Sequence, residues 1–418
     1  MTASAPAPSP WAGHPQGSPE YRRILVSLFF SGLATFAQLY STQSVLPAIA
    51  DEFGVSAPTS ALTVSGATIG MAIAVLFWAA VADRYGRVQA MTVSLISATV
   101  FGLIGLLAPS IWLLVAARIL EGAALGGVPG VAVAFLSEEL DHRHIASAAA
   151  IFVSGNSVGG LVGRVLSGIV SGWTGSWRLG VMAVVVMCAI AVALFIVLIP
   201  RARGFIPLRR RPPELMPATT AWQRIMENLR DPGQMTLYLQ GFMYMGSFVA
   251  VYNYLGFRLT HAPYHLPIEV VSLLFVTFLI GTITSPFAGR AAEQYGRLPV
   301  LLVAAGTMAA GALITLAGPL WLIFVGLLIF TAGFFGTHSI CSGWVGVRHQ
   351  TGRAQASSLY NLFYYTGSSV LGWFAGYWFH AGGWPGVVVL VVVCAAIAAV
   401  TVSRVLRERP PAQRPDVR

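Results

Sequence analysis

Past residue 23 the chain repeats one pattern: a long apolar run, then a short polar or Gly/Pro-containing interruption. Twelve such runs lie over roughly 24–50, 59–82, 88–108, 110–136, 145–171, 178–199, 236–257, 268–289, 298–317, 320–346, 354–380 and 384–403. A helix needs ~20 apolar residues to cross a bilayer core. The runs are continuous rather than alternating in polarity, unlike transmembrane strands. The pattern predicts an all-α polytopic membrane protein with twelve transmembrane helices. The longest interruption, 200–235, divides them six and six. The expected segments are a disordered cytoplasmic tail over 1–23, a six-helix bundle over 24–199, a cytoplasmic linker over 200–235, a second six-helix bundle over 236–404 and a cytoplasmic tail over 405–418. Within the linker, "AWQRIMENLRD" (221–231) predicts a short amphipathic helix lying on the membrane surface.

Composition agrees and charge orients the pattern. Hydrophobic residues make up 56% of the chain and charged residues 10%, whereas a soluble domain carries roughly a quarter charged residues. All 25 basic residues are Arg, and most fall in alternate loops: Arg22 and Arg23, Arg84 and Arg87, Arg143, the Arg-rich linker, Arg290 and Arg297, Arg348 and Arg353, and the C-terminal tail. The opposite loops hold little beyond Arg178 and Arg258. This positive-inside bias places both termini in the cytoplasm. It also accounts for the net charge of +10 without nucleic acid as a partner. Residues 1–20 are rich in Ala, Pro and Ser and lack the apolar core of a signal peptide. Cys188, Cys341 and Cys394 sit inside apolar runs and read as small buried residues, not as a disulfide framework or metal site.

The two halves repeat. "ADRYGRV" (82–88) follows the second run, and "AEQYGRL" (292–298) follows the eighth, 210 residues later. In each turn a glycine, Gly86 or Gly296, permits a sharp reversal. Asp83 or Glu293 can meet the positive end of the following helix, and Arg87 or Arg297 can satisfy final carbonyls or a lipid phosphate. A weaker match pairs "ASAAAIFVSGNSVGG" (146–160) with "AQASSLYNLFYYTGSSVLG" (354–372). A duplicated six-helix unit is a transporter layout.

With these motifs the chain resembles the major facilitator superfamily over residues 24–404. The family's loop signature, Gly-x-Leu-Ala-Asp-Arg-x-Gly-Arg-Lys, is matched by "AAVADRYGRV", where Asp83, Arg84, Gly86 and Arg87 fit but Ala79 and Val88 replace the outer Gly and Lys. The helix-4 signature Arg-x-x-Gln-Gly reads "RILEG" here, with Glu121 for Gln. Four stretches resemble the YnfM-like, acriflavine-sensitivity branch: "GNSVGGLVGRVLSG" (155–168), "YNYLGFRL" (252–259), "FFGTHSICSGWVG" (334–346) and "ASSLYNLFYYTGSSVLG" (356–372). The resemblance implies two pseudo-symmetric six-helix bundles in a bacterial inner membrane. It implies a monomer that moves a small molecule by alternating access, driven by protons. Asp83, Arg84, Gly86, Arg87, Glu293, Gly296 and Arg297 would form its conformational gate, with Asp83 helping to hold an outward-open state. Exporters of the superfamily often carry a helix-5 Gly-Pro signature. Here Gly159, Gly160 and Gly163 are present, and Arg164 stands at the place expected for the Pro.

The charges inside the apolar runs are the candidate chemistry, since an ionisable group at mid-bilayer is expensive. Arg118 and Glu121 are three apart and share a helical face. At 1.5 Å per residue they lie roughly 12–17 Å below the outer end of helix 4, and Arg164 lies roughly 10–12 Å below that of helix 5. Glu121 is therefore expected to face both arginines. The second-half counterparts, near "IFTAG" (329–333) and Gly376, are uncharged, an asymmetry that argues for function. Three readings stay open: a buried structural pair of Arg118 with Glu121, proton exchange at Glu121, and an anionic substrate on Arg118 or Arg164. His338 is a second proton candidate. Gln38, Gln43, Asn156, Tyr252, Asn253, Tyr360, Asn361 and Tyr364 complete the substrate candidates, as polar groups in a mostly apolar pocket.

With no Lys in the chain a phosphate loop cannot form, so direct ATP drive is not expected. No metal-ligand spacing or catalytic triad is evident, so neither an enzyme nor a cofactor is expected. The first choice is proton-coupled export of small hydrophobic or drug-like compounds. The alternative is proton-coupled transport of a small organic anion bound by the intramembrane arginines.

Overall fold

The computed structural model describes residue 11 and residues 13–205, 220–348 and 353–406. Helices α1 (Pro19–Leu39), α2 (Leu46–Phe53), α3 (Ala57–Tyr85), α4 (Arg87–Leu106), α5 (Ile111–Leu125), α6 (Pro129–Glu139), α7 (Ile145–Thr174) and α8 (Trp177–Leu198) form the first half. After α9 (Ala221–Arg230) come α10 (Pro232–Thr260), α11 (Ile268–Leu273), α12 (Gly281–Tyr295), α13 (Arg297–Ile314), α14 (Leu320–Arg348) and α15 (Arg353–Val405). Among the described residues, ten stretches are long and apolar enough to cross a membrane. One of them holds two crossings, because α15 breaks at Gly383 (φ 60°, ψ −150°). Its arms return to one level: the Tyr360 ring lies against Gly241, while Gln240 Nε2 donates to Ala398 O at 3.0 Å. The more polar α10 brings the crossings to twelve. The result is the all-α, twelve-helix fold.

Three crossings are broken for visible reasons. The first changes from α1 to α2 through a 3-10 turn, Gln43–Val45, at the polar stretch 40–44. The fourth changes from α5 to α6 at Gly126 and Gly127, with Pro129 opening the new helix where its missing N–H costs nothing. The eighth passes from α11 to α12 through a 3-10 segment, Leu274–Ile280.

Small residues set the closest helix contacts. Along α7, Gly155, Gly159 and Gly163 lie on the backbones of Phe29, Leu33 and Ala37 of α1. The four-residue steps advance together, so the helices run parallel and touch along one ridge. At Gly86 and Gly296, φ is 110° and 90° with ψ 153° in both, a region essentially reserved for glycine.

The halves meet only along part of their length. At the end away from the termini, Ser369 Oγ donates to Ser65 O at 2.8 Å, Pro58 packs on Gly376, and Ser272 packs on Gly168. Toward the end bearing the termini the same stripes open. On α7, Leu161 and Val165 pack into a core shared by both halves, whereas Ser154 and Val158 are exposed. On α15, Ser369 and Tyr365 are buried, whereas Asn361 and Ser357 are exposed. A cleft therefore opens between the halves at the termini end and closes at the far end.

The segment expected to be a disordered tail differs in its second part. Trp11 Nε1 donates to Glu138 O (3.0 Å), His14 N to Glu139 O (2.7 Å), and α1 starts at Pro19 under a Ser18 cap. Backbone pairing and an aromatic anchor order what composition alone suggested was loose. In the expected linker, α9 forms under a Thr220–Gln223 capping box. Asp231 caps α10, which starts ahead of the expected 236, and also holds Arg348 at 3.1 Å. Residues 1–10, 12, 206–219 and 407–418, which carry the rest of the expected tails and linker, lie outside the described residues. The two arginines of the far-end loops cap helix ends. Arg178 donates to Leu106 O and Ala108 O (both 3.1 Å), and Arg258 donates to Thr315 O and to Ala317 O (3.1 Å).

Candidate functional site

A helix broken inside a bilayer leaves carbonyls that water cannot satisfy. At the break after α1 the donors come from Arg118 on α5. Its Nη2 donates to Leu39 O (2.6 Å), its Nη1 to Gln38 O (3.0 Å) and Ser41 Oγ (3.4 Å), and its Nε to Thr63 O of α3 (3.1 Å). Nη1 also pairs with Glu121 Oε2 at 2.6 Å. The guanidinium is engaged on every side, and Arg118 and Glu121 are both 2% exposed. The carboxylate's other oxygen looks across Gly102 toward Gln38. Gln38 Oε1 is buried and has no hydrogen-bond partner among the described residues.

Arg164 is elsewhere. Glu121 was expected to face both arginines, but it pairs with Arg118 alone. The broken segment 38–44 runs between the two guanidiniums and keeps them apart: Arg118 grips Gln38, Leu39 and Ser41, while Arg164 Nε donates to Gln43 Oε1 at 2.6 Å. Arg164 Nη1 donates to Gly160 O. The cation lies 4.0 Å from the Tyr40 ring centroid, 4.8 Å from Phe278 and 5.3 Å from Phe275. Among the described residues no carboxylate lies within ion-pair distance of it. Phe275 and Phe278 belong to the second half, so this guanidinium sits on the seam between the halves.

Gln43 continues the seam. Its Nε2 donates to Asn253 Oδ1 of α10 at 2.7 Å, and Asn253 Nδ2 donates to Gly372 O at 3.4 Å. On the second half's cleft side, His338 Nδ1 and Tyr360 OH are 3.0 Å apart, and the His338 and Tyr364 rings are 4.8 Å apart. Tyr364 and His338 are half-buried and Asn361 is exposed. Across from them on α7, Asn156 is half-buried, with an Oδ1 that has no partner among the described residues.

The expected substrate residues thus divide. Arg164, Gln43 and Asn253 form one chain across the seam, and Tyr364, Asn361 and His338 lie at the cleft; Tyr360 is buried behind His338 against Gly241, and Asn156 turns its Oδ1 toward Gly32 of α1. Gln38 and Arg118 are inside the first half. Tyr252 is inside the second, its hydroxyl bonded to Thr277 (2.6 Å) and Thr331 (2.7 Å). Phe275 and Phe278 were not singled out from the sequence. Their three-residue spacing was the available signal, and only their pairing with Arg164 gives it meaning.

At the termini end, Arg87 is buried and pairs with Asp83 (2.8 Å) and with Glu138 on α6 (2.9 Å). The turn was expected to place Asp83 at a helix N-terminus and Arg87 on carbonyls or lipid. Instead the two bind each other, and Glu138, a residue the motif does not contain, completes the clamp. Arg84 is exposed, with its cation over the Tyr85 ring. In the second copy, Glu293 is exposed and Arg297 lies 6.0 Å from the Trp344 ring.

The sequence profile of the Major Facilitator Superfamily matches residues 28–267 and again 233–418. The inner membrane transport protein YnfM of Escherichia coli strain K12 is 38% identical over 392 residues, 94% of this chain and 92% of that one. The uncharacterized MFS-type transporter YybF of Bacillus subtilis strain 168 is 34% identical over 383 residues, covering 92% and 93%. Among solved structures, a bacterial homologue of the human lysosomal transporter Spinster, in an inward-facing, unoccupied conformation, superposes with a TM-score of 0.75 at 16% identity, covering 94% of this chain and 100% of that one.

Proposed function

The chain belongs to the Major Facilitator Superfamily of secondary transporters, and from that premise we propose that it carries a small organic anion, with Arg164 as the substrate-binding residue. One observation carries the choice: Arg164 is a buried cation on the seam between the halves, facing aromatic rings and, among the described residues, no acid. A lone Arg at membrane depth is costly, by estimates from about 2.5 to above 10 kcal/mol. Cation–π contacts return about 0.5–2 kcal/mol each. A carboxylate entering the cleft would complete the neutralisation and accept the forked hydrogen bonds that guanidinium favours.

On this reading the termini are cytoplasmic and the cleft is inward-facing. The far-end contacts form the outer gate. The Asp83–Arg87–Glu138 clamp, with Arg84 and Gly86 in the same turn and Glu293, Gly296 and Arg297 in the other, belongs to the inner gate. Arg118 holds the break in the first crossing. Glu121 carries the coupling proton, with Gln38 Oε1, a buried acceptor that has no partner among the described residues, on the same side of Gly102, and His338 is a second proton site. Tyr364 and Asn361 line the path, and the transporter works as a monomer in the inner membrane.

A second reading, proton-coupled export of small hydrophobic compounds, rests on the aromatic wall of the second half. There Phe248 stacks on Phe334 at 3.9 Å, next to Phe278, Phe335 and His338. The test is counterflow in proteoliposomes with aromatic carboxylates, lipophilic cations and neutral analogues, using wild type and Arg164→Gln. Saturable carboxylate counterflow that Arg164→Gln abolishes supports the first reading. Unchanged carboxylate flux in Arg164→Gln removes it, and saturable flux of cations alone selects the second.

A further inference from the structure

We propose that Gln43 couples occupancy of Arg164 to opening of the far end: a carboxylate that takes the guanidinium displaces the Gln43 carboxamide and so loosens its bond to Asn253. This rests on the reading of Arg164 as the anion site, and it adds how that site moves the protein.

The geometry is a relay of three links. Arg164 Nε, on the first half, donates to Gln43 Oε1 at 2.6 Å. The other end of the same carboxamide donates from Nε2 to Asn253 Oδ1, on the second half, at 2.7 Å. Asn253 Nδ2 in turn reaches Gly372 O at 3.4 Å. Gln43 and Asn253 are 2% and 1% exposed, so no bulk water replaces a lost partner. A carboxamide is rigid and planar, and its oxygen and nitrogen cannot be repositioned independently. Arg164 thus fixes the orientation that presents Nε2 to Asn253.

The relay also sits where it can act. Gln43 opens the 3-10 turn between α1 and α2, the one stretch of the first crossing whose backbone is not held by α-helical bonds. The neighbouring Ser44 Oγ donates to Arg164 O at 2.8 Å and lies 2.8 Å from Ser167 Oγ. Directly after Ser167, Gly168 meets Ser272 of the second half. An anion on Arg164 competes for the very donor that orients Gln43. A carboxylate outcompetes a neutral amide oxygen, because it adds charge–charge attraction and a second parallel bond to a contact that is charge-assisted only from the Arg164 side.

The test measures far-end separation by pulsed electron–electron distance spectroscopy. Spin labels go on Leu107→Cys, just after α4, and Gly318→Cys, in the turn between α13 and α14. Leu107 is 81% exposed, and a side chain at Gly318 meets nothing within 4 Å. The natural cysteines are buried. In Gln43→Glu a tethered carboxylate occupies Arg164 and no N–H remains for Asn253. The long-distance, far-end-open population is expected to rise at least threefold without any ligand. Asn253→Ala, which leaves Arg164 and Gln43 paired, is expected to do the same. Gln43→Asn, too short to span both partners, should behave like Asn253→Ala.

Benzoate is the probe on the wild type, with benzamide as the neutral control. Benzoate should widen the distribution and benzamide should not. If Gln43→Glu and Asn253→Ala keep the wild-type distribution, the relay is wrong whatever benzoate does. If both widen it but benzoate neither binds nor shifts the wild type, the relay stands as a latch while the anion reading of Arg164 fails. If benzoate binds through Arg164 without changing the distances, the anion site stands and the coupling proposed here falls.

Discussion

Replacing Arg118 with Met should destabilise the protein far more than replacing its partner Glu121 with Gln. The guanidinium holds four groups besides Glu121: Leu39 O, Gln38 O, Ser41 Oγ and Thr63 O. Gln38 O also accepts from Ser41 N at 3.2 Å, so the largest polar loss is Leu39 O. An orphaned buried acceptor costs about 1–3 kcal/mol. Glu121 would be left as a buried carboxylate without its cation. Removing one partner of a buried pair typically costs about 3–5 kcal/mol. The carboxylate can escape by taking up a proton, which for an ordinary Glu at pH 7 costs about 3.7 kcal/mol and so caps the charge part. Allowing for overlap, Arg118→Met should lose about 4–6 kcal/mol.

Glu121→Gln keeps an oxygen for Arg118 Nη1 and leaves all four other contacts in place. Its cost should be the difference between a charged and a neutral acceptor, about 1–2 kcal/mol. The double variant Arg118→Met/Glu121→Gln should recover about 2 kcal/mol relative to Arg118→Met alone, because no charge is then stranded. Unfolding in mixed detergent micelles, followed by tryptophan fluorescence, reads all three. If Glu121→Gln costs as much as Arg118→Met, the pair is the stabilising unit and the carbonyl-capping argument is wrong. If the double variant shows the full sum, Glu121 never felt the loss of its partner.

Transport by Glu121→Gln should lose its pH dependence while keeping substrate counterflow, measured in proteoliposomes over pH 5–8; an unchanged pH profile would remove Glu121 from coupling. Gly159→Ala places a Cβ 2.3 Å from Leu33 O, whereas one at Gly130 meets nothing within 4 Å. The first should therefore lose about 1–3 kcal/mol and the second should stay within about 0.5 kcal/mol of wild type, read as thermal midpoints in detergent. Arg87→Ala breaks contacts to both Asp83 and Glu138, and Glu138→Gln weakens only one. The first should cost about 2–3 kcal/mol and the second about 1 kcal/mol, and equal losses in the same melts would show that Asp83 contributes nothing.

Most of the fold was readable because the bilayer imposes a single length scale on every crossing. Runs of about twenty apolar residues announce themselves, and the paired "YGR" turns fix where two of them reverse. What could not be read was where helices stop inside the membrane. The run over 24–50 is one apolar stretch in the sequence, yet α1 ends at Leu39. The signal was the cluster of hydroxyl and amide groups at 40–44, whose side chains compete with the main chain for hydrogen bonds. It reads equally well as polar lining of a pore. Anchoring of Trp11 and His14 was illegible for a related reason: their partners, Glu138 and Glu139, are more than a hundred residues away, and composition does not report such pairings.

The site was half legible for the same physical reason. Depth along a helix follows from counting residues, so Arg118, Glu121 and Arg164 could be placed at a common level. Which side of a neighbouring backbone each one faces does not follow from counting, and the break after α1 separates them. That break also changes the meaning of the asymmetry between the halves. The first crossing is interrupted and needs a donor for its free carbonyls, which Arg118 provides. Its counterpart α10 runs unbroken from Pro232 to Thr260 and leaves no free carbonyls at that depth. The missing arginine near "IFTAG" is therefore explained by backbone geometry and says nothing about substrate. No such geometry explains Arg164. It donates to Gly160 O on its own helix and to a glutamine that already joins the halves, so the fold would lose no helix cap without it. Of the two arginines at this depth, Arg118 has a carboxylate partner and Arg164 has none among the described residues.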